Sequence, residues 1–295
     1  LIVAELPSLE VSGRPAVIAA FGSCRLYEPF LSVFPEFGFN MVYGQFSPFT
    51  YSAGEAWQYI EFCRGSVDFP EWQWPYIFSD IRTTKPPAAL QDAVNRADVF
   101  LIEISTLDQL NCDGRFFNWN ELGLRFVRGQ DESHFGWWRE VSDRTTRRAS
   151  PETIERVVEA DTKLGKEPPS EFHAFLSGMR FETLEAPLLE QYIKKITFMS
   201  GKKWIFVSHL NIALHGPQML PDRKIVLDTL RNVAGGLGHT IFDPTPTLVE
   251  YGYKRGLQGD GADTHHYNPE FRPVLGRVFL DCIRSTLSGD TKASS

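Results

Sequence analysis

Ser23, Asp263 and His266 are the residue types from which a nucleophile, a base and an orienting acid can be assembled. A serine hydroxyl attacks well only when a neighbouring imidazole takes its proton, and a carboxylate on the other ring nitrogen fixes the imidazole tautomer. The three-residue spacing from Asp263 favours His266 over its neighbour His265. Ser23 follows Gly22 at the start of an expected helix, where backbone N–H groups stabilise developing negative charge. Taken singly, a Gly-Ser pair after a strand is a common turn, and a histidine near a carboxylate a common cap. In this chain order and at these positions, the combination points to catalysis by an activated serine.

Neighbouring residues widen the choice. Cys24 is a second nucleophile if Arg25 and the helix N-terminus favour its thiolate; otherwise it is a small packing residue. Arg25 is placed either to bind a carboxylate or phosphate of a substrate or to pair with Glu28. His209 and Asn211 face the same cleft or form a polar turn. No metal is expected, since His209 and His215 lie six apart and His265 adjoins His266, neither being a helical i, i+4 pair. No cofactor is expected either. The Gly-Gly-Leu-Gly run at 235–238 follows a helix and precedes a strand, the reverse of a dinucleotide loop, and there is no Walker A or GxSxG sequence.

The elements that must position these residues alternate strand and helix. Strands are expected at 16–21, 38–43, 98–104, 203–208 and 239–243. Helices are expected at 24–34, 53–64, 87–97, 222–234 and 269–287, the last starting at Pro269. This rhythm predicts an α/β fold with a parallel sheet, whose ligands meet the carboxyl ends of the strands. Ser23, Gly44, Ser105, His209 and Asp243 all follow such ends. The rhythm stops between 105 and 202, where an aromatic and charged loop (111–148) precedes helical segments near 151–164 and 171–199, the second capped by Ser170. The expected organisation is one domain over 1–295 with an aromatic and helical cap inserted at about 111–200.

The blocks Phe-Gly-Ser-Cys-Arg near the N-terminus and Asp-x-x-His-x-Asn near the C-terminus resemble the SGNH (GDSL-like) hydrolase superfamily, and Gly-Ser-Cys its GSCFA branch. The resemblance covers roughly 14–110 and 200–285. It implies a flavodoxin-like three-layer sandwich around a five-stranded parallel sheet. It also implies a Ser23–His266–Asp263 triad and an oxyanion hole built from the Ser23 N–H, a glycine matched by Gly44, and an asparagine after the third strand. The third position departs, because Ser-Thr-Leu-Asp follows that strand; Asn111 lies too far along, leaving Ser105, Thr106 or Asn211 as substitutes.

Composition narrows the partners. A net charge of −7 and a pI near 5.6 argue against a general nucleic-acid binder. Four cysteines without a CxxC pair suggest a reducing compartment. No apolar run is long enough for a membrane span, and the first residues carry no secretory pattern, so a cytoplasmic location is expected. Six of the seven tryptophans fall in two aromatic segments, Tyr43 to Phe78 and Phe116 to Trp138. Trp119, Trp137 and Trp138, beside Asn118, Asn120, Arg115 and Arg139, suit stacking on sugar rings or holding an acyl chain. Ordinary core packing would use the same residues equally well. The leading expectation is a serine esterase acting on an O-acyl ester, with a small molecule or carbohydrate as substrate. The alternatives are an O-acyltransferase using the same residues, or a non-catalytic carbohydrate-binding protein.

Overall fold

A computed structural model describes residues 1–37, 40–43, 49–78, 85–128, 131–166, 169–198, 201–212 and 220–289. The chain divides into two compact units. The first holds Leu1–Ser66, Lys85–Leu107 and Glu185–Ser295; the second holds Val67–Thr84 and Asp108–Leu184. The inserted part is thus shorter than the expected 111–200 at its C-terminal side, and it recruits a separate stretch before the third expected strand.

The first unit contains β1 (Ile2–Val11), β2 (Arg14–Phe21), α1 (Cys24–Phe37), β3 (Asn40–Tyr43), α2 (Ala53–Cys63), α3 (Ala88–Arg96) and β4 (Val99–Ile104). After the second unit's segment come α4 (Ala186–Ile196), β5 (Lys203–Ser208), α5 (Pro221–Leu230), β6 (Thr240–Phe242), α6 (Thr245–Tyr251) and α7 (Arg272–Ser288). The sheet order is β3-β1-β2-β4-β5-β6. β2, β4, β5 and β6 are parallel neighbours, while β1 runs antiparallel to both β2 and β3. Five strands therefore point one way, in the spatial order 2-1-3-4-5 of a flavodoxin-like doubly wound sheet. β1 is a sixth strand wedged into that order. The sequence pattern does not announce it, because Pro7, Glu5 and Glu10 interrupt its apolar residues. It joins β2 through a two-residue turn in which Ser12 and Gly13 both have positive φ (53° and 77°), the requirement of a type I′ hairpin.

All six residues of β4 are buried, as a central parallel strand demands. Alternation puts Val99 and Leu101 on one face, with Ile18, Ala20 and Val207, under α1 and α7. There Phe30 stacks on Phe279 at 5.3 Å. A Cβ on Gly276 would lie 2.4 Å from the Pro29 carbonyl oxygen, so only glycine lets α7 approach α1 this closely. The opposite face carries Phe100 stacked on Trp204 at 4.4 Å, and Phe21 edge-on to Tyr59 of α2 at 5.5 Å. Helices on both faces make this a three-layer α/β sandwich. α7 begins at Arg272 rather than at Pro269, since the Asn268 carbonyl accepts the Phe271 and Arg272 N–H groups and Pro273 occupies the first turn.

The second unit replaces two expectations. The stretch read as a loop contains a hairpin of Asp108–Cys112 and Arg115–Phe117, turned by Asp113 and Gly114 with φ of 53° and 78°. It also contains the helix Glu132–Ser142. The single helix expected over 171–199 is broken: Phe172–Gly178 is helical without a Ser170 cap, and Arg180–Thr183 pairs with Asp108–Asn111 as a third strand. Pairing with the hairpin overrides local helix propensity there. Around this sheet lies an aromatic cluster, with Trp72 edge-on to Phe175 at 5.2 Å, Phe126 edge-on to Trp137 at 5.0 Å, and Tyr76 edge-on to Phe126 at 5.8 Å. Much of the aromatic excess is thus the core of a small unit. Among the described residues no helix is long and apolar enough to cross a membrane.

Candidate active site

In a doubly wound sheet the crossovers change side between the first and third parallel strands, opening a crevice at their carboxyl ends. Those strands are β2 and β4. Gly22 and Ser23 leave β2 there, and Ser23 caps α1 by accepting the Leu26 and Tyr27 N–H groups on its carbonyl. Ser23 is 1% exposed. Across the crevice stands Glu103, the fifth residue of β4 and equally buried.

Glu103 organises the cluster. Its Oε2 accepts the Ser23 backbone N–H and the Ser23 hydroxyl, both at 2.7 Å. Its Oε1 accepts Nε and Nη2 of Arg25, at 3.0 and 2.9 Å. A carboxylate this deep is tolerated because four donors, two of them from a guanidinium, replace its water. Burial opposes the charge of Arg25, yet Glu103 outweighs it, and the guanidinium holds its proton more firmly than a free arginine. Gly22 leaves space for the carboxylate: a Cβ there would lie 2.7 Å from Glu103 Cβ and 2.8 Å from Oε2. Arg25 therefore pairs with Glu103 and not with Glu28, which pairs with Arg272 at 3.1 Å. Burial pushes the Cys24 thiol up against the pull of Arg25.

Asp263 and His266 come together as their spacing predicts. Oδ2 of Asp263 meets Nδ1 of His266 at 2.8 Å, while Oδ1 accepts the backbone N–H groups of His265 and His266 at 2.8 and 3.1 Å. Burial raises the Asp263 carboxyl, and the bonds from His266 and the amides win, holding it below the usual carboxylate range. With Nδ1–H directed at a carboxylate, Nε2 of a neutral His266 is a proton acceptor. The loop is pinned by a Gln258 N–H bond to the His266 carbonyl and an Asn268 side-chain bond to the Arg255 carbonyl.

The residues beside His266 share the electrostatic surroundings of the Glu103 cluster. Tyr267 is buried, its phenol pushed up by desolvation against the pull of Arg25. The His265 ring stands perpendicular to His209, 5.9 Å away, and is lowered by burial, then by Arg223 and Arg25. His209 is buried, with Nδ1 bonded to the Leu210 carbonyl at 2.8 Å; burial and the two arginines hold it well below 6.5. Arg223 donates to the same carbonyl at 3.0 Å and is drawn down to about 10 by burial and by Arg25. Arg25 is neutralised by Glu103, which leaves Arg223 as the guanidinium of this group without a carboxylate among the contacts given above.

The remaining expected site residues divide. Gly44 lies outside the described residues. Ser105 cannot serve as an oxyanion donor as it stands, because its N–H, like that of Thr106, is bonded to the Tyr51 carbonyl, with its hydroxyl 3.4 Å from the same oxygen. The Ser23 N–H, expected to face an oxyanion, is likewise engaged, here by Glu103. Asn211 donates its backbone N–H to Thr245 and accepts the Leu220 N–H on Oδ1, leaving its buried Nδ2 an unspent donor among the described residues. Trp137 is wholly buried with its indole N–H on the Leu176 carbonyl, so it offers no face to a ligand. Trp119 is 37% exposed and lies against half-buried Trp138, ring centres 4.6 Å apart. Among the described residues no three His, Cys, Asp or Glu side chains converge as metal ligands.

Glu103 is the residue that sequence reasoning missed. Its signal was present, since a glutamate inside an apolar strand buried on both faces must find a cation; the cation's identity, 78 residues away, was not.

Comparison with known proteins places this chain in a family. Over 275 residues the chain is 24% identical to the Vi polysaccharide biosynthesis protein TviD of Salmonella typhi, a match covering 91% of this chain and 32% of that protein. The chain thus spans about a third of the relative's length. No solved structure matches it. Residues 16–281 match the family described as the TviD N-terminal domain, and the chain belongs to that family.

Proposed function

We propose that this chain is an O-acyltransferase that places an acyl group on a hydroxyl of a polysaccharide, through a covalent intermediate on Ser23. The observation that carries the reading is the Asp263–His266 pair, with Oδ2 2.8 Å from Nδ1, the arrangement that leaves Nε2 of a neutral imidazole available to accept a proton. The resemblance of the Gly-Ser-Cys and Asp-x-x-His blocks to SGNH enzymes supports the same roles.

In the first half-reaction the Ser23 oxygen bonds to the acyl carbon of the donor while its proton passes to His266 Nε2. The bond from the acyl carbon to the leaving group breaks, and that group departs with the proton from His266. In the second half-reaction the sugar hydroxyl gives its proton to His266 and bonds to the acyl carbon, and Ser23 leaves with the proton returned. Asp263 keeps the imidazole oriented and stabilises its cationic form. Asn211 Nδ2 is the spare side-chain donor for the tetrahedral oxyanion. Hydrolysis, the leading expectation from sequence, would run through the same residues with water as acceptor. A relative named for polysaccharide biosynthesis favours transfer over cleavage.

The test uses p-nitrophenyl acetate as donor and intact-protein mass spectrometry. Ser23 should gain one acetyl group, and added polysaccharide should speed its loss with the acetyl recovered on sugar. Ser23→Ala should lower transfer by several orders of magnitude. Acetyl appearing only as free acid would restore the esterase reading, and a protein never acylated at Ser23 would refute both.

A further inference from the structure

Glu103 has no role in the chemistry set out above, yet it touches both groups that chemistry needs. Acyl transfer through Ser23 requires the hydroxyl to face a base and the backbone N–H to face an oxyanion. Both instead point at Glu103 Oε2, each at 2.7 Å. A carboxylate oxygen in that position stands where an oxyanion formed at Ser23 would be held by the same N–H, and its negative charge repels one.

We propose that Glu103 is a positioning residue that latches Ser23 in a closed, unloaded state, and that acyl transfer begins only when Oε2 gives up the Ser23 hydroxyl and N–H. The inference rests on the reading of Ser23 as nucleophile. The carboxylate is built for this division of labour. Oε1 carries the two bonds from Arg25 and Oε2 the two from Ser23, so a shift of Ser23 away from Oε2 breaks neither bond of the ion pair. The bare Cα of Gly22 lets Oε2 sit in the latched position, since a Cβ there would lie 2.8 Å from it. No proton moves to Glu103 in the release; the hydroxyl proton leaves with Ser23 and passes to His266 during attack.

The experiment compares the labelling rate of Ser23 by a fluorophosphonate in the wild-type chain, Glu103→Asp and Glu103→Gln, with thermal unfolding followed in parallel. Aspartate keeps a charge for Arg25 but withdraws the oxygen by one methylene; glutamine keeps the length and loses the charge. Both should label about tenfold faster than wild type, as expected when a charge-assisted bond to the nucleophile is weakened. A merely structural role would slow labelling. Folded variants that label no faster than wild type overturn the latch. A measurement on unsubstituted protein guards against variants that do not fold: in a crystal structure of the phosphonylated adduct, Ser23 N–H should contact the phosphonyl oxygen. Finding Glu103 Oε2 still bonded to Ser23 N there would equally overturn the proposal. If Ser23 resists labelling in all three proteins, the nucleophile reading falls and the latch falls with it; normal labelling at an unchanged rate removes the latch alone.

Discussion

Replacing Gly22 by alanine is the sharpest probe of how tightly the β2–β4 crevice is built. The added Cβ would meet Glu103 Cβ at 2.7 Å, Glu103 Oε2 at 2.8 Å and Leu26 Cδ2 at 2.9 Å. Each is well inside ordinary van der Waals contact, and two belong to parts that yield poorly. Glu103 Cβ is fixed to a strand paired on both sides, and Leu26 is 1% exposed in the core. Overpacking of this kind costs about 1–3 kcal/mol. Pushing Oε2 aside weakens charge-assisted bonds of about 1.5–3 kcal/mol each. Because one movement of the carboxylate relieves part of the clash, the two do not add, and a total of about 2–4 kcal/mol is expected. In a unit of this size that lowers the melting temperature by roughly 5–15 °C. Urea unfolding of Gly22→Ala beside Gly235→Ala measures it, since a Cβ at 235 meets its nearest neighbour at an unstrained 3.8 Å. If Gly22→Ala stays within about 0.5 kcal/mol of wild type, the close contact with Glu103 is wrong.

Three further outcomes follow from the same geometry. Arg25→Met strands a buried carboxylate and should cost about 3–5 kcal/mol in urea unfolding, with much of the loss recovered when Glu103→Gln is added. His209 is held neutral in the folded chain, so below pH 6.5 the unfolded chain binds more protons there. Stability should be full above that pH and fall on acidification by up to about 1.4 kcal/mol per pH unit, and His209→Gln should flatten the slope between pH 5 and 6.5. Trp137→Ala should cost about 3–5 kcal/mol by opening a cavity in the second unit. Trp119→Ala should cost less than about half as much, and equal losses would contradict the burial difference.

What the sequence made legible was set by which physical signals are local. β2, β4 and β5 show because burial on both faces turns each into a short apolar run. Asp263 and His266 show because their contact spans one loop. β1 does not show, since two glutamates and a proline break its pattern while its hydrogen bonds are satisfied by partners on either side. The Asp113-Gly114 turn was readable as a hairpin signal, but the aromatic and charged residues around it look like a loop until Arg180–Thr183 supplies the third strand. Ser23 stands out in the sequence and Glu103 does not: a serine that caps a helix and one that awaits a base look alike until the residue across the crevice is known.

The wedged strand β1 has a consequence for how the chain folds and stays soluble. β1 and β2 form the sheet's shortest-range pairing, joined through two residues, whereas β2 meets β4 only across some eighty. Hairpins close in about 1–10 μs, so the strand that delivers Ser23 can be paired before any crossover helix has docked. The same arrangement shields Ala16 to Phe21, an uncharged apolar run with high β-propensity, on the side β4 does not cover. A chain trimmed to begin at Arg14 would expose that edge, and aggregation would be its first defect.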